Sequence, residues 1–178
     1  VGMNPRRTGL LHVLRLMGAD IVESDAGEEG GEPVADLRVR HAPLHGIDVP
    51  EAHVPDMIDE FPALFIAAAC ASGVTRVTGA HELRVKESDR IATMAAGLRA
   101  LDVEIEEAPD GATITGRADG VGGGRVDSHG DHRIAMSFAI AGQRSRGEAV
   151  IGDTANVATS FPGFLELAQA VGFSLRDG

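Results

Sequence analysis

The sequence predicts an α/β domain assembled from about two and a half copies of one βαβαββ-like unit. Three observations lead there. Segments with helical spacing of apolar residues alternate with short segments of alternating polarity along all 178 residues. The stripes Leu10/Val13/Leu14/Met17, Met94/Leu98/Leu101 and Phe164/Leu167/Ala168/Val171 share one register, 84 and then 70 residues apart, and each runs into a short strand pattern. Two more helices, opening at Asp59 and Asp131, are apolar on every face and precede the second and third stripes.

The elements follow in chain order. Asn4, Pro5, Arg6, Arg7 and Thr8 form a turn and a helix start, and Gly18 closes the first striped helix. Ile21 and Val22 begin a strand. Residues 25–33 read as an acidic, Gly-rich, solvated turn, and residues 36–40 alternate as a strand with one wet face. Residues 46–50 are a further strand candidate. Asp59, Glu60 and Pro62 mark the start of an all-apolar helix, with acids at its positive end and Pro in its first turn. It runs to Ala71, should be central, and is ended by Gly73. A strand at 74–78, the charged stretch 82–90 and the stripe from Ile91 come next. Strands at 103–105 and 112–115 flank the Pro109-Asp110-Gly111 turn, and residues 120–124 read as a flexible Gly-rich loop. Asp131, His132 and Arg133 open the second apolar helix, 134–141, before a strand at 149–151. Thr159, Ser160, Phe161 and Pro162 start the last helix, and residues 173–175 read as a strand. The apolar helices belong inside and the striped ones half exposed. The first copy lacks its first half and the last its final strands, so the chain reads as a piece of something longer.

Composition narrows the function. A formal net charge of −11 argues against a nucleic-acid surface or an anionic membrane as partner. No apolar run approaches the ~20 residues that span a bilayer. The chain has no Trp or Tyr and six Phe, so its core rests on aliphatic side chains. Cys70 is the only cysteine, which excludes an internal disulfide and fits a reducing, cytoplasmic setting; within Ala-Ala-Ala-Cys-Ala-Ser it reads as a small buried hydrophobe.

The stretch 82–90 carries the strongest functional signal. Glu82, Arg84, Lys86, Glu87, Asp89 and Arg90 alternate in sign within about two turns, between two core elements, where whole burial would be too costly. Lys86 and Arg90 precede or open one helix and Arg133 opens another. Cations at helix starts make anion sites, here in a protein that is otherwise strongly acidic. Asp59 and Glu60 fit either a helix-dipole complement or a general base beside a ligand. Glu87, between cations, is available as an acid or base. The Gly-rich run 120–124 matches neither a P-loop nor a dinucleotide fingerprint. Ser128-His129-Gly130-Asp131-His132 lacks the further ligands of a metal site, so no metal is expected. The residues by themselves thus describe a site for a small polyanion with carboxylates placed for proton transfer.

Two segments carry a resemblance. Leu83-Arg84-Val85-Lys86-Glu87-Ser88-Asp89-Arg90 and Asp131-His132-Arg133-Ile134-Ala135-Met136 resemble the signature segments of the 5-enolpyruvylshikimate-3-phosphate synthase family. Asn4-Pro5-x-Arg7-Thr8-Gly9, Ile58-Asp59-Glu60-x-Pro62 and Ser160-Phe161-Pro162 also resemble that family, most closely its glyphosate-tolerant bacterial branch. The resemblance implies an enolpyruvyl-transferase-type inside-out α/β fold. Residues 1–178 would be most of the C-terminal domain of a two-domain, monomeric, cytoplasmic enzyme whose N-terminal domain is absent here. It implies transfer of the carboxyvinyl group of phosphoenolpyruvate to the 5-hydroxyl of shikimate 3-phosphate, with no cofactor, and an inert isolated piece. By motif, Asp59 matches the base that also contacts the shikimate ring, and Glu87 the residue handling the C3 proton. Lys86 matches a cation near the 5-oxygen and the leaving group. Arg90 and Arg133 match the pair gripping phosphoenolpyruvate, and His132 a neighbouring site residue. Thr159 stands where some members carry a phosphate-binding Lys, and Glu82 where some carry Asn. Two other readings stand beside this one: the sister transferase acting on UDP-N-acetylglucosamine, and a non-catalytic anion-binding module.

Overall fold

Helices occupy the interior of this protein and short sheets its outside. The computed structural model describes residues 1–176. The elements run α1 (Gly9–Leu16), β1 (Asp20–Glu29), β2 (Glu32–Arg40), α2 (Phe61–Ala69), β3 (Val74–Val77), α3 (Arg90–Ala100), β4 (Glu104–Ala108), β5 (Gly111–Thr115), β6 (Gly124–Asp127), α4 (His132–Gly142), β7 (Ala149–Gly152), α5 (Ala155–Ser160) and α6 (Phe164–Ala170).

Helix α2 has no face that gains from water. Phe61, Leu64, Phe65, Ile66, Ala68 and Ala69 are all buried, and Pro62 sits in the first turn where its missing N–H costs nothing. Helix α4 packs beside it through Ile134, Ala135 and Phe138, and α3 through Ile91, Met94, Ala95 and Leu98. Each large side chain fully buried here contributes about 1.5–3 kcal/mol. The three helices form the centre of one continuous apolar cluster.

Three small sheets cover the helices. β1 and β2 form an antiparallel hairpin, β3-β5-β4 an antiparallel sheet, and β6 pairs with β7 in parallel. Residues 44–49 run parallel to β3, with hydrogen bonds from Gly46 N to Ser72 O at 2.7 Å and from Val49 N to Arg76 O at 2.9 Å. That pairing is the counterpart of β6 beside β7, so the repeat read in the sequence is a repeat of structure.

Several expectations are corrected. Most of the supposed turn at 25–33 is strand: β1 and β2 extend to the Gly30-Gly31 tip, and a bulge between Ser24 and Gly27 preserves their pairing. Helix α3 is not half exposed; seven of its eleven residues are buried. The second half of the Gly-rich loop leads directly into β6, a strand fixed by its partner β7. Thr159 and Ser160 end the separate helix α5 rather than opening α6. Residues 173–176 form no strand. Cys70 caps α2 and is only partly buried, packed against the core.

Gly46 is held by close approach. A Cβ there would lie 2.2 Å from the carbonyl oxygen of Val74 and 2.6 Å from its nitrogen. Gly46→Ala is therefore expected to part residues 44–49 from β3 and destabilise the fold by about 1–3 kcal/mol. A urea titration reads this, and an unchanged midpoint would contradict it.

Candidate active site

The N-terminal ends of the three central helices meet at one place, and a buried ion pair fixes the meeting. Arg90, the first residue of α3, is 1% exposed. Its Nε donates to Oδ2 of Asp131 at 2.8 Å, and Asp131 is itself fully buried. The other Asp131 oxygen caps α4, accepting from the backbone N–H of Arg133 at 3.0 Å and of Ile134 at 3.4 Å. Ser88 Oγ donates to Oδ2 at 3.2 Å. One carboxylate thus caps α4 and anchors the start of α3. Burial pushes the Asp131 carboxyl up, but the hydrogen bond and charge of Arg90, with the two N–H groups, outweigh it and hold it below the ordinary range.

The charged stretch folds to serve this point. Residues His81–Val85 form a 3₁₀ turn, and Asp89 caps α3 by accepting from Ala92 N at 3.0 Å. Arg84 grips both Asp89 oxygens at 3.0–3.1 Å and reaches the carbonyl of Ala108 at 2.6 Å. It ties the stretch to the β4–β5 end and takes no part in the site. Lys86 is tethered by Glu82 at 2.7 Å. That hydrogen bond opposes burial and, helped by Asp59, keeps the ammonium more firmly protonated than usual.

Asp59, just ahead of α2, lies among four cations. Oδ1 is 3.4 Å from Arg90 Nη1 and 3.6 Å from Lys86 Nζ. Oδ2 is 3.7 Å from Arg133 Nη2 and 3.8 Å from Arg7 Nη2. Arg133 also donates from Nη1 to the Asp59 backbone carbonyl at 3.4 Å. Burial acts upward on the Asp59 carboxyl; Arg133, Lys86, Arg90 and Arg7 act downward and prevail, holding it below the ordinary range.

The structure therefore brings together Asp59, Lys86, Glu87, Arg90 and Arg133. Glu87 is half exposed and accepts from Arg90 Nη2. Each of Arg90's three nitrogens faces a carboxylate, so in this state Arg90 is framework as much as ligand grip. His132 opens α4 half-buried and, among the described residues, makes no ion pair with the cluster. Thr159 is exposed on α5. Glu82, doubtful from sequence, positions Lys86. Residues 1–176 contain no group of three or more side chains able to ligate a metal. Sequence reasoning missed Asp131 as the buried anchor and Arg7 as a cation beside Asp59; both lie inside motifs quoted for other reasons.

The arrangement can hold small anions. Three helix N-termini point their positive ends here, with Lys86 and Arg133 partly open to solvent beside carboxylates able to move protons.

The family model described as EPSP synthase (3-phosphoshikimate 1-carboxyvinyltransferase) matches residues 1–167. The 3-phosphoshikimate 1-carboxyvinyltransferase of Xanthomonas euvesicatoria pv. vesicatoria is 69% identical over 176 residues, 99% of this chain and 40% of that protein. That of Xanthomonas campestris pv. campestris (strain 8004) is 69% identical over 175 residues. An EPSP synthase structure from Acinetobacter baumannii superposes with a TM-score of 0.95 at 46% identity, covering 100% of this chain and 41% of that one. The chain spans about 40% of the length of these relatives.

Asp131→Ala leaves the Arg90 guanidinium buried without its partner and is expected to cost about 3–5 kcal/mol. The double variant Arg90→Met/Asp131→Ala should recover part of that. Because the folded-state Asp131 value is depressed, its contribution is full above the unfolded value of about 4 and is lost as pH falls through the folded value. Asp131→Asn should accordingly lose less stability than wild type on going below about pH 4. Chemical unfolding of the variants across pH checks both.

Proposed function

This chain belongs to the EPSP synthase family, and from that premise we propose that it forms one wall of a 3-phosphoshikimate 1-carboxyvinyltransferase active site. The observation that carries the reading is the ring of four cations around Asp59 at the convergence of three helix N-termini. A reaction between two phosphorylated substrates needs such a place. The N-terminal domain of the parent enzyme supplies the opposite wall in a monomeric, cytoplasmic protein.

In this reading the 5-hydroxyl of shikimate 3-phosphate attacks C2 of phosphoenolpyruvate and gives its proton to Asp59. C3 takes a proton from Glu87; as the tetrahedral intermediate then expels phosphate, the Glu87 carboxylate takes a proton back from C3, which restores the double bond of the carboxyvinyl group. Lys86 stands near the 5-oxygen and the leaving phosphate, and His132 borders the site. Arg133 and Arg90 hold phosphoenolpyruvate. Arg90 reaches the ligand with Nη2 by releasing Glu87, which frees that carboxylate to carry a proton as the substrate arrives. Arg90 Nε stays on Asp131 throughout. Substrate anions set against Lys86, Arg90 and Arg133 weaken their hold on Asp59, so its carboxylate accepts a proton more readily once both substrates are bound. No metal or organic cofactor enters this scheme.

In the full-length enzyme, Asp59→Ala should lower kcat about 10²–10⁴-fold while changing substrate affinity much less. Steady-state phosphate release with binding titrations decides this; a loss of affinity alone would make Asp59 a ligand and not the base. The 178 residues by themselves should release no phosphate from the two substrates, and turnover by them would refute the divided-site reading.

A further inference from the structure

The motif Asn4-Pro5-x-Arg7-Thr8-Gly9 touches no substrate in the chemistry above and enters it through one guanidinium, which it delivers to Asp59. We propose that Arg7, tethered by Glu60, is a positioning residue that fixes the orientation of the Asp59 carboxylate. The proposal rests on Asp59 acting as proton acceptor.

Every part of the motif serves this placement. Asn4 Oδ1 accepts from Arg6 N at 3.0 Å and caps the Pro5–Arg7 turn. The Thr8 hydroxyl, nearly buried, closes it by donating to the Pro5 carbonyl at 3.4 Å. Gly9 lets the start of α1 press onto the chain just before Asp59. A Cβ there would sit 2.9 Å from the His53 carbonyl oxygen and 3.0 Å from the Asp56 carbonyl. The turn is thereby locked against the segment whose next residues are Asp59 and Glu60.

Glu60 completes the device. Its Oε1 accepts from Arg7 Nη2 at 3.1 Å, which aims the same nitrogen at Asp59 Oδ2, 3.8 Å away. Its Oε2 is buried without a hydrogen-bond partner, an unfavourable arrangement for a carboxylate kept only to fill space. Arg7 is 57% exposed, and ion pairs so open to water add little to stability. Fold stability therefore does not account for the arrangement. A cavity of about 60 Å³ opens between Arg7, Ile58, Asp59 and Glu60. On that side Asp59 borders open space. Arg90 and Lys86 attract Oδ1, Arg133 and Arg7 attract Oδ2, and without Arg7 the carboxylate can turn into the cavity.

The test is a double-mutant cycle in the full-length enzyme. Arg7→Ala should lower kcat about tenfold to a hundredfold with little change in either KM or in the unfolding midpoint. Arg7→Lys should restore part of the rate, and Glu60→Gln should reproduce part of the loss. In an Asp59→Ala background, Arg7→Ala should have no further effect. Additive losses in that background, or an unchanged kcat for Arg7→Ala alone, would overturn the proposal. If Asp59→Ala is itself silent, the proton-acceptor reading fails first. Should the wild-type enzyme transfer nothing, the ¹³C carboxyl titration of Asp59 in the same protein decides for Arg7. Its midpoint must rise in Arg7→Ala, and an unmoved midpoint would refute the tether.

Discussion

The Arg90–Asp131 pair is the constraint on which the rest of the molecule depends. Three apolar helices could pack together in many rotations about their axes. A fully desolvated guanidinium beside a fully desolvated carboxylate, with Nε on Oδ2 at 2.8 Å, permits few of them. Burying two charges is unfavourable unless geometry is good and the remaining polar atoms are satisfied. Here the second carboxylate oxygen is used up by the first N–H groups of α4, and the guanidinium nitrogens by Asp59 and Glu87. The pair therefore fixes where α3 and α4 begin, and through Asp59 where α2 begins. An anion site at the three N-termini follows from the way the core is locked.

The charges of the cluster answer one another. Arg7, Lys86, Arg90 and Arg133 are answered by Asp59, Glu60, Glu82, Glu87 and Asp131. Some of these contacts are short and structural, such as Asp131 on Arg90 and Glu82 on Lys86. Those around Asp59 are longer, 3.4–3.8 Å, and are the ones an incoming anion can replace without breaking the frame. In the reaction proposed for it, this strongly acidic chain receives acidic ligands on cations already held in loose partnerships.

Much of this was legible in the residues. Helices α2 and α4 announced themselves because no rotation gives them a wet face, and the repeat because three stripes share a register. The cations at helix starts were legible because Lys86, Arg90 and Arg133 abut apolar runs. What stayed hidden depended on partners distant in sequence. That Arg90 is fully buried is not readable from its neighbours in sequence, because its partner Asp131 lies 41 residues away. Strand β6 has little pattern of its own and takes its identity from β7. Four of the six residues of helix α5, Asn156, Val157, Thr159 and Ser160, are weak helix formers, and the helix is fastened by Asn156 to the Gly130 carbonyl at 2.6 Å. The outer part of the long hairpin, residues 25–33, reads as a turn because it is acidic, Gly-rich and exposed at every residue.

The most direct measurement is a crystal structure of the full-length enzyme with phosphoenolpyruvate and a non-reacting shikimate 3-phosphate analogue. Arg90 Nε should remain on Asp131 while Nη2 leaves Glu87 for the ligand. A ligand bound with Arg90 still closed on Glu87, or with the Arg90–Asp131 bond broken, would contradict this.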